Sequence, residues 1–280
     1  MNTLIVYYIL FLTLFNFNPF LSLEKNLQNY NSFFKSLFTQ RVKPTPTPAP
    51  PKNLPIQTRV TKSYTIALVG DSMTHLLGTA DEFRKYLKEH YPNNEFGILN
   101  FGIGGNNILT VPNRLIALTM RGTESLPPIM DTRPDIILLE SSGNNPLSDL
   151  PLEQGLKKQN ETLDQIVKII KEKKPDTVLI FVATIAPSKT KYAQGVVDLS
   201  SEQRAKWAEE RIAYIENHIK YAHDHKIPLV NIYQKSLREN GNGDLDYISK
   251  TDFIHPSPLG ITFISKEMAD YIYKEKVIPY

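Results

Sequence analysis

From Tyr64 onward the chain alternates short apolar runs with longer amphipathic stretches, and this alternation restricts the possible folds more than any other feature. Ile66 to Val69, Phe96 to Asn100, Asp135 to Glu140, Thr177 to Val182 and Leu229 to Ile232 are apolar at successive positions, so both faces of each run need cover. Strands of that kind belong in a parallel sheet enclosed by helices. Ala80 to His90, Leu156 to Lys173, Glu202 to His225 and Leu259 to Tyr273 carry helical periodicity in the gaps. Parallel neighbours require crossovers, and helices supply them on both faces. The expected fold is therefore α/β, a three-layer sandwich around a five-stranded parallel sheet.

Residues 1–63 have another character. Leu4 to Phe15 carries no charge, and apolar residues continue to Leu23, with Asn16, Asn18 and Pro19 interrupting the second half. Residues 1–23 are expected to be a signal peptide or N-terminal membrane anchor, with the anchor the closer fit because no small-residue cleavage site stands out. Lys25, Lys35, Arg41 and Lys43 follow the run, a placement that opposes export under the positive-inside tendency. Residues 44–51 read Pro-Thr-Pro-Thr-Pro-Ala-Pro-Pro. They lack the backbone donors of helix or sheet and favour extended polyproline II. Residues 24–63 are read as a linker with a proline-rich stalk, and residues 64–280 as one catalytic-sized domain. Membrane-anchored or secreted, extracytoplasmic placement is the expectation.

Composition removes several classes of function. The 32 basic and 29 acidic residues are spread along the chain and leave a net charge of +3, so no basic footprint for nucleic acid exists. Cysteine is absent, which excludes disulfides, a thiolate nucleophile and cysteine-ligated zinc. His218, His223 and His225 do not share one helix face, so they are expected to be solvated surface histidines rather than metal ligands. No metal and no cofactor is expected, and the protein is expected to be a monomer.

The chemistry-bearing residues lie where strands end. Gly70-Asp71-Ser72 follows the first run, Gly102 to Asn106 the second, and Ser141 to Asn145 the third. In an open parallel sheet the ligand crevice lies outside the carboxyl ends of the strands, so these loops open onto one edge. Asp252-Phe-Ile-His255-Pro precedes the last helix and can return to that edge. A hydroxyl, an imidazole with a carboxylate three residues before it, and candidate oxyanion donors are the parts of an acyl-transfer site. Asp71 is expected to make a structural hydrogen bond rather than act as a base. His75 either lines the site or packs locally. The long connection Ala186 to Ser200 lies on the same edge, where Tyr192, Val196 and Val197 either meet an acyl or leaving group or belong to an inert surface loop. Trp207 is expected to pack within its helix layer rather than serve as a sugar platform.

Four segments, Ile-Ala-Leu-Val-Gly-Asp-Ser-Met, Asn-Phe-Gly-Ile-Gly-Gly-Asn, Glu-Ser-Ser-Gly-Asn-Asn and Asp-Phe-Ile-His-Pro, resemble in order the four sequence blocks of the SGNH (GDSL-type) hydrolases. The resemblance implies a flavodoxin-like architecture with Ser72 as nucleophile and Asp252 and His255 as its partners. It also implies an oxyanion hole made by the Ser72 and Gly105 N–H groups and the Asn144 amide. Gly104 competes with Gly105, and Gly105 is preferred because it lies five residues after Asn100, the family spacing. Met73 replaces the usual leucine, and Asn145 stands where the family carries aspartate, which puts in question the loop hydrogen bond made there. The resemblance implies a serine esterase acting through an acyl-enzyme on a small-molecule, glycan or lipid ester, and the N-terminal tether directs the expectation to an acetylated glycan or lipid at the cell envelope. The alternatives are an O-acetyltransferase on an envelope polysaccharide and a non-catalytic glycan-binding protein.

Overall fold

The computed structural model describes residues 61–279. The expected signal peptide or anchor at 1–23, and the proline-rich stalk within 24–63, lie outside the described residues. Among the described residues, no helix is long and apolar enough to cross a membrane.

In chain order the strands are β1 (Ser63–Gly70), β2 (Glu95–Gly102), β3 (Thr119–Arg121), β4 (Glu124–Leu126), β5 (Ile136–Glu140), β6 (Val178–Ala183) and β7 (Leu229–Asn231). The helices are α1 (Ser72–His75), α2 (Asp81–His90), α3 (Val111–Ile116), α4 (Leu152–Lys173), α5 (Ser201–Asp224), α6 (Ile232–Lys235) and α7 (Pro258–Lys274). Five strands form one parallel sheet in the order β2-β1-β5-β6-β7, while β3 and β4 form a separate antiparallel hairpin. The chain starts near the middle of the sheet, adds β2 on one side, then returns past β1 and builds outward on the other. That reversal puts the switch point of the topology between β1 and β5, where a crevice opens at the strand ends.

Successive strand residues divide between two cores. Ile66, Leu68, Ile136, Leu138, Ile180 and Val182 pack in one core with Phe83 and Leu87 of α2 and Ile264, Met268 and Ile272 of α7. Ala67, Val69, Ile137, Leu139 and Phe181 meet Leu115 of α3, Leu163 and Ile166 of α4, and Tyr221 of α5 on the other face. Burying each such large side chain contributes about 1.5–3 kcal/mol, so both helical layers are held by the strand pattern itself. The expected three-layer α/β sandwich with a five-stranded parallel sheet is the observed architecture.

Departures from the sequence reading have local causes. Ile232 opens α6 instead of ending β7, because the Asn231 side chain accepts the Gln234 N–H and caps a helical turn there. The β3–β4 hairpin was not expected; Arg121 ties it to the sheet by donating to the Asn100 and Gly102 carbonyls at 2.8 and 3.3 Å. His218 is not a solvated surface residue. It is fully buried on the sheet side of α5, its ring stacked on Phe181 at 4.2 Å, and burial lowers its pKa to about 3 so that it is neutral. His223 and His225 are exposed as expected. Trp207 does not pack into the helix layer as expected either: it is 38% exposed, with the Arg211 guanidinium 5.0 Å from its ring centroid.

Gly102 is the closest approach between β2 and the segment that carries Ser72. A Cβ there would lie 2.2 Å from the His75 backbone nitrogen, an atom that cannot move without shifting α1. Gly102→Ala is expected to destabilise the fold by roughly 1–3 kcal/mol, the usual cost of overpacking. Urea unfolding of the variant measures this, and wild-type stability would contradict such tight packing of β2 against α1.

Candidate active site

Asp71 is the residue between β1 and α1, and it shapes the turn. Its Oδ1 accepts the Met73 N–H at 2.7 Å, capping α1 and leaving Ser72 in the first helical turn at the end of a central strand. First-turn N–H groups such as that of Ser72 have no acceptor within the helix.

His255 reaches Ser72 across 183 positions of sequence. Its Nε2 lies 2.9 Å from the Ser72 Oγ, and its Nδ1 lies 2.9 Å from the Asp252 Oδ2. The other Asp252 oxygen accepts the N–H groups of Ile254 and His255 at 2.8 and 3.0 Å, which fixes the carboxylate plane. An ionised carboxylate only accepts, so Nδ1 carries the ring proton and the Nε2 lone pair faces the serine hydroxyl. Burial alone would raise the Asp252 pKa, but the hydrogen bonds from the His255 ring and from two backbone N–H groups outweigh it and hold the value below normal. Both side chains remain slightly exposed, at 18% for His255 and 14% for Asp252, as a site open to substrate requires.

The structure brings the other sequence candidates to the same edge. A Cβ on Gly104 would come 3.7 Å from the Ser72 Cβ, so the loop after β2 passes beside the serine. Gly105 follows with φ +74°, a left-handed conformation that favours glycine. Asn144 lies in the loop after β5, and its Oδ1 accepts the Tyr192 hydroxyl at 3.0 Å. Ser142 in that loop also has a left-handed φ, +50°. Tyr192, read as either a substrate contact or part of an inert surface loop, is buried at 2% exposure with its hydroxyl on Asn144, while the half-buried Val196 and Val197 pack with Ile254 beside it. His75 is exposed at the end of α1.

Two buried residues that the sequence reading missed hold these loops together. Glu140, the last residue of β5, accepts the Ser141 hydroxyl at 2.8 Å and the Ser142 N–H at 2.9 Å through Oε1. Its Oε2 accepts the Asp71 N–H at 3.3 Å, and the two carboxyls also hydrogen-bond each other. Burial, and then the Asp71 charge, raise the Glu140 pKa well above the ordinary 4.5, so Glu140 keeps its proton and donates it to Asp71. Asn145 completes the group by donating its Nδ2 to the Asp71 Oδ2 at 2.8 Å, a bond that an ionised aspartate at that position could not make. Arg114 of α3 is the counter-charge. It donates to the Gly70 carbonyl at 3.2 Å and to the Phe101 carbonyl, and burial lowers its pKa to about 10 without discharging it. The signals were a charged residue at the end of an apolar strand and an arginine among apolar neighbours. Asp71 has the structural role expected of it.

The sequence profile of the GDSL-like Lipase/Acylhydrolase family matches residues 68–261, more than half of the chain. No curated protein matches the chain in sequence. Among solved structures, a lipase/acylhydrolase from Enterococcus faecalis aligns with TM-score 0.54 at 14% identity, covering 76% of this chain and 96% of that one. The acetyl xylan esterase AlAXEase aligns with TM-score 0.52 at 16% identity, covering 74% and 99%. A GDSL-like lipase from Bacteroides thetaiotaomicron aligns with TM-score 0.50 at 14% identity, covering 76% and 89%. At these identities the similarity establishes the fold.

The proton held by Glu140 has a measurable consequence. Because the folded protein holds it more tightly than the unfolded chain, this contribution to stability is complete below the unfolded pKa and is lost as pH rises towards the folded one. Glu140→Gln keeps a neutral donor and removes the titration, so its stability should fall less steeply than that of wild type as pH rises above the ordinary carboxyl pKa. Glu140→Ala should instead cost about 1–3 kcal/mol for each buried group left without a partner. Urea unfolding across pH reads both, and parallel wild-type and Glu140→Gln curves would contradict a protonated Glu140.

Proposed function

The chain belongs to the GDSL-like lipase/acylhydrolase family and is an ester hydrolase, and we propose that it works through an acyl-enzyme on Ser72 with an acetylated glycan at the cell envelope as substrate. The single observation that carries the mechanism is the continuous hydrogen-bonded chain from Asp252 through His255 to the Ser72 hydroxyl.

In this mechanism the Ser72 Oγ attacks the ester carbonyl as its proton passes to the His255 Nε2, and Asp252 stabilises the imidazolium so formed. The carbonyl oxygen becomes an oxyanion that meets the Ser72 N–H, the Gly105 N–H and the Asn144 Nδ2. Each such donor is worth about 10²–10³ in turnover when placed for the tetrahedral species. His255 then returns the proton to the leaving alkoxide, leaving the acyl group on Ser72. Water enters, gives its proton to the same nitrogen and releases the acid, and Ser72 recovers its hydrogen. Every proton in the cycle passes through the His255 Nε2, and no step calls for a metal.

Two observations support a glycan. The exposed Trp207 ring lies beside Arg211, which leads through the Tyr192 hydroxyl to Asn144, so an exposed aromatic surface stands on the α5 side of the loop that carries Asn144. One structural neighbour, AlAXEase, is an acetyl xylan esterase. The apolar run from Leu4 and the proline-rich sequence at 44–51 that follows it support an envelope location.

The test compares an acetylated oligosaccharide, a lysophospholipid and a small aryl acetate as substrates of the purified domain. Acetate release from the oligosaccharide is expected to be fastest relative to the aryl ester and to vanish in Ser72→Ala. Asn144→Ala should lower kcat roughly 10²–10³-fold with little change in KM. Faster release of fatty acid from the lysophospholipid would overturn the glycan reading. Acetyl transfer to an added sugar hydroxyl in excess of free acetate would make the enzyme a transferase.

A further inference from the structure

We propose that Tyr192 and Arg211 are positioning residues that set which end of the Asn144 amide faces the oxyanion, an inference that rests on Asn144 being an oxyanion donor. The two ends of an asparagine amide are nearly identical in shape and opposite in effect. The NH₂ end stabilises a developing negative charge, and the carbonyl end repels it. Something must therefore hold the amide in one sense.

The hydrogen-bond chain around Asn144 does so, and its direction follows from chemistry. The Arg211 Nε lies 3.2 Å from the Tyr192 hydroxyl, and that hydroxyl lies 3.0 Å from the Asn144 Oδ1. A guanidinium has donors and no acceptor, so Arg211 donates to the phenol oxygen. With the Arg211 proton directed at its oxygen, Tyr192 turns its own proton towards Asn144, which must then present its carbonyl oxygen. The amide is left with Nδ2 directed elsewhere, and no protein acceptor takes it among the described residues. The chain also runs from a cation to a neutral amide, so each bond polarises the next and makes the Nδ2 protons better donors.

Tyr192 is itself rigidly held. Its ring is 2% exposed and packs with Ala193, Ala208 and Ile254, while its N–H donates to the Ser188 carbonyl at 2.9 Å. The buried Arg204 of α5 donates to its carbonyl oxygen. Arg211 is fixed as well, by Glu210 at 2.7 Å and the Trp207 carbonyl at 3.2 Å, with its guanidinium carbon 5.4 Å from the Tyr192 ring centroid. The loop after β6 and the second and third turns of α5 thus form a brace behind Asn144. The brace uses residues outside the four sequence blocks, and it explains why the long loop folds back onto α5 instead of lying open over the site.

Tyr192→Phe deletes the hydroxyl and retains the ring packing, so it isolates the brace. The expected result is a fall in kcat of roughly tenfold with KM for a small ester unchanged, because the amide then points correctly for only part of the time. Arg211→Leu should lower kcat roughly threefold, since Tyr192 then loses the bond that directs its proton. The decisive measurement is the double-mutant cycle. In an Asn144→Ala background Tyr192→Phe should cost less than about twofold, because no amide remains to be oriented. A Tyr192→Phe loss of the same size in both backgrounds would overturn the proposal and make Tyr192 a packing residue, as would a Tyr192→Phe enzyme with wild-type kcat. Full activity in Asn144→Ala alone would instead remove Asn144 from the oxyanion site, a separate failure read from the same four proteins. Thermal unfolding of Tyr192→Phe within a few degrees of wild type is expected. A larger drop would move the decision to the same cycle run with Arg211→Leu.

Discussion

One buried negative charge organises the active-site edge. Asp71 and Glu140 are both fully enclosed, and they can be so only because they share a proton and have Arg114 as a neighbour. Two ionised carboxylates in that space would repel without compensating solvent, and a lone one would be costly to bury. The arrangement with one proton and one guanidinium is neutral overall, and it spans three elements. Glu140 terminates β5, Asp71 directly follows β1, and Arg114 of α3 reaches back to the carbonyl oxygens at the ends of β1 and β2. The loops bearing Ser72, Gly105 and Asn144 therefore start from ends that are tied to one another beneath the surface.

From that base the relay needs only one distant element. The segment before α7 presents Asp252 and His255 as a local unit, with the carboxylate gripping the backbone of the residues that follow it. The Ser257 side chain accepts the Gly260 N–H and starts α7 two residues after His255. α7 in turn packs on the β1, β5 and β6 face, so the imidazole is delivered to Ser72 by the same hydrophobic layer that covers the sheet. Local turn chemistry sets the orientation of the pair, and core packing sets its position.

The distinction between legible and hidden parts follows the range of the forces. Strands β1, β2, β5 and β6 and helices α2, α5 and α7 appear in the sequence because period and apolarity are local properties, and each lies within a few residues of its expected bounds. Ser72, Asp252 and His255, which hydrogen bonds join in the structure, could be singled out because their blocks are contiguous and ordered, and the same blocks marked Gly105 and Asn144 as oxyanion candidates. Glu140 was not, since its role depends on Asp71 lying opposite it across two strands that are distant in sequence. Arg114, Tyr192 and Arg211 were hidden for the same reason, their partners being set by tertiary contact. His218 shows the converse error. It was read as a solvated surface residue, and only packing reveals that its helix face turns inward onto Phe181.

In the proposed mechanism Ser72, activated by His255, forms a covalent bond to the acyl group. Treating the folded domain with a serine-directed phosphonate and mapping the product by mass spectrometry tests it most directly. A single adduct on Ser72 is expected, abolished in Ser72→Ala and much slower to form in His255→Ala. A folded domain that takes no adduct, or one that carries it on another residue, would exclude Ser72 as the nucleophile.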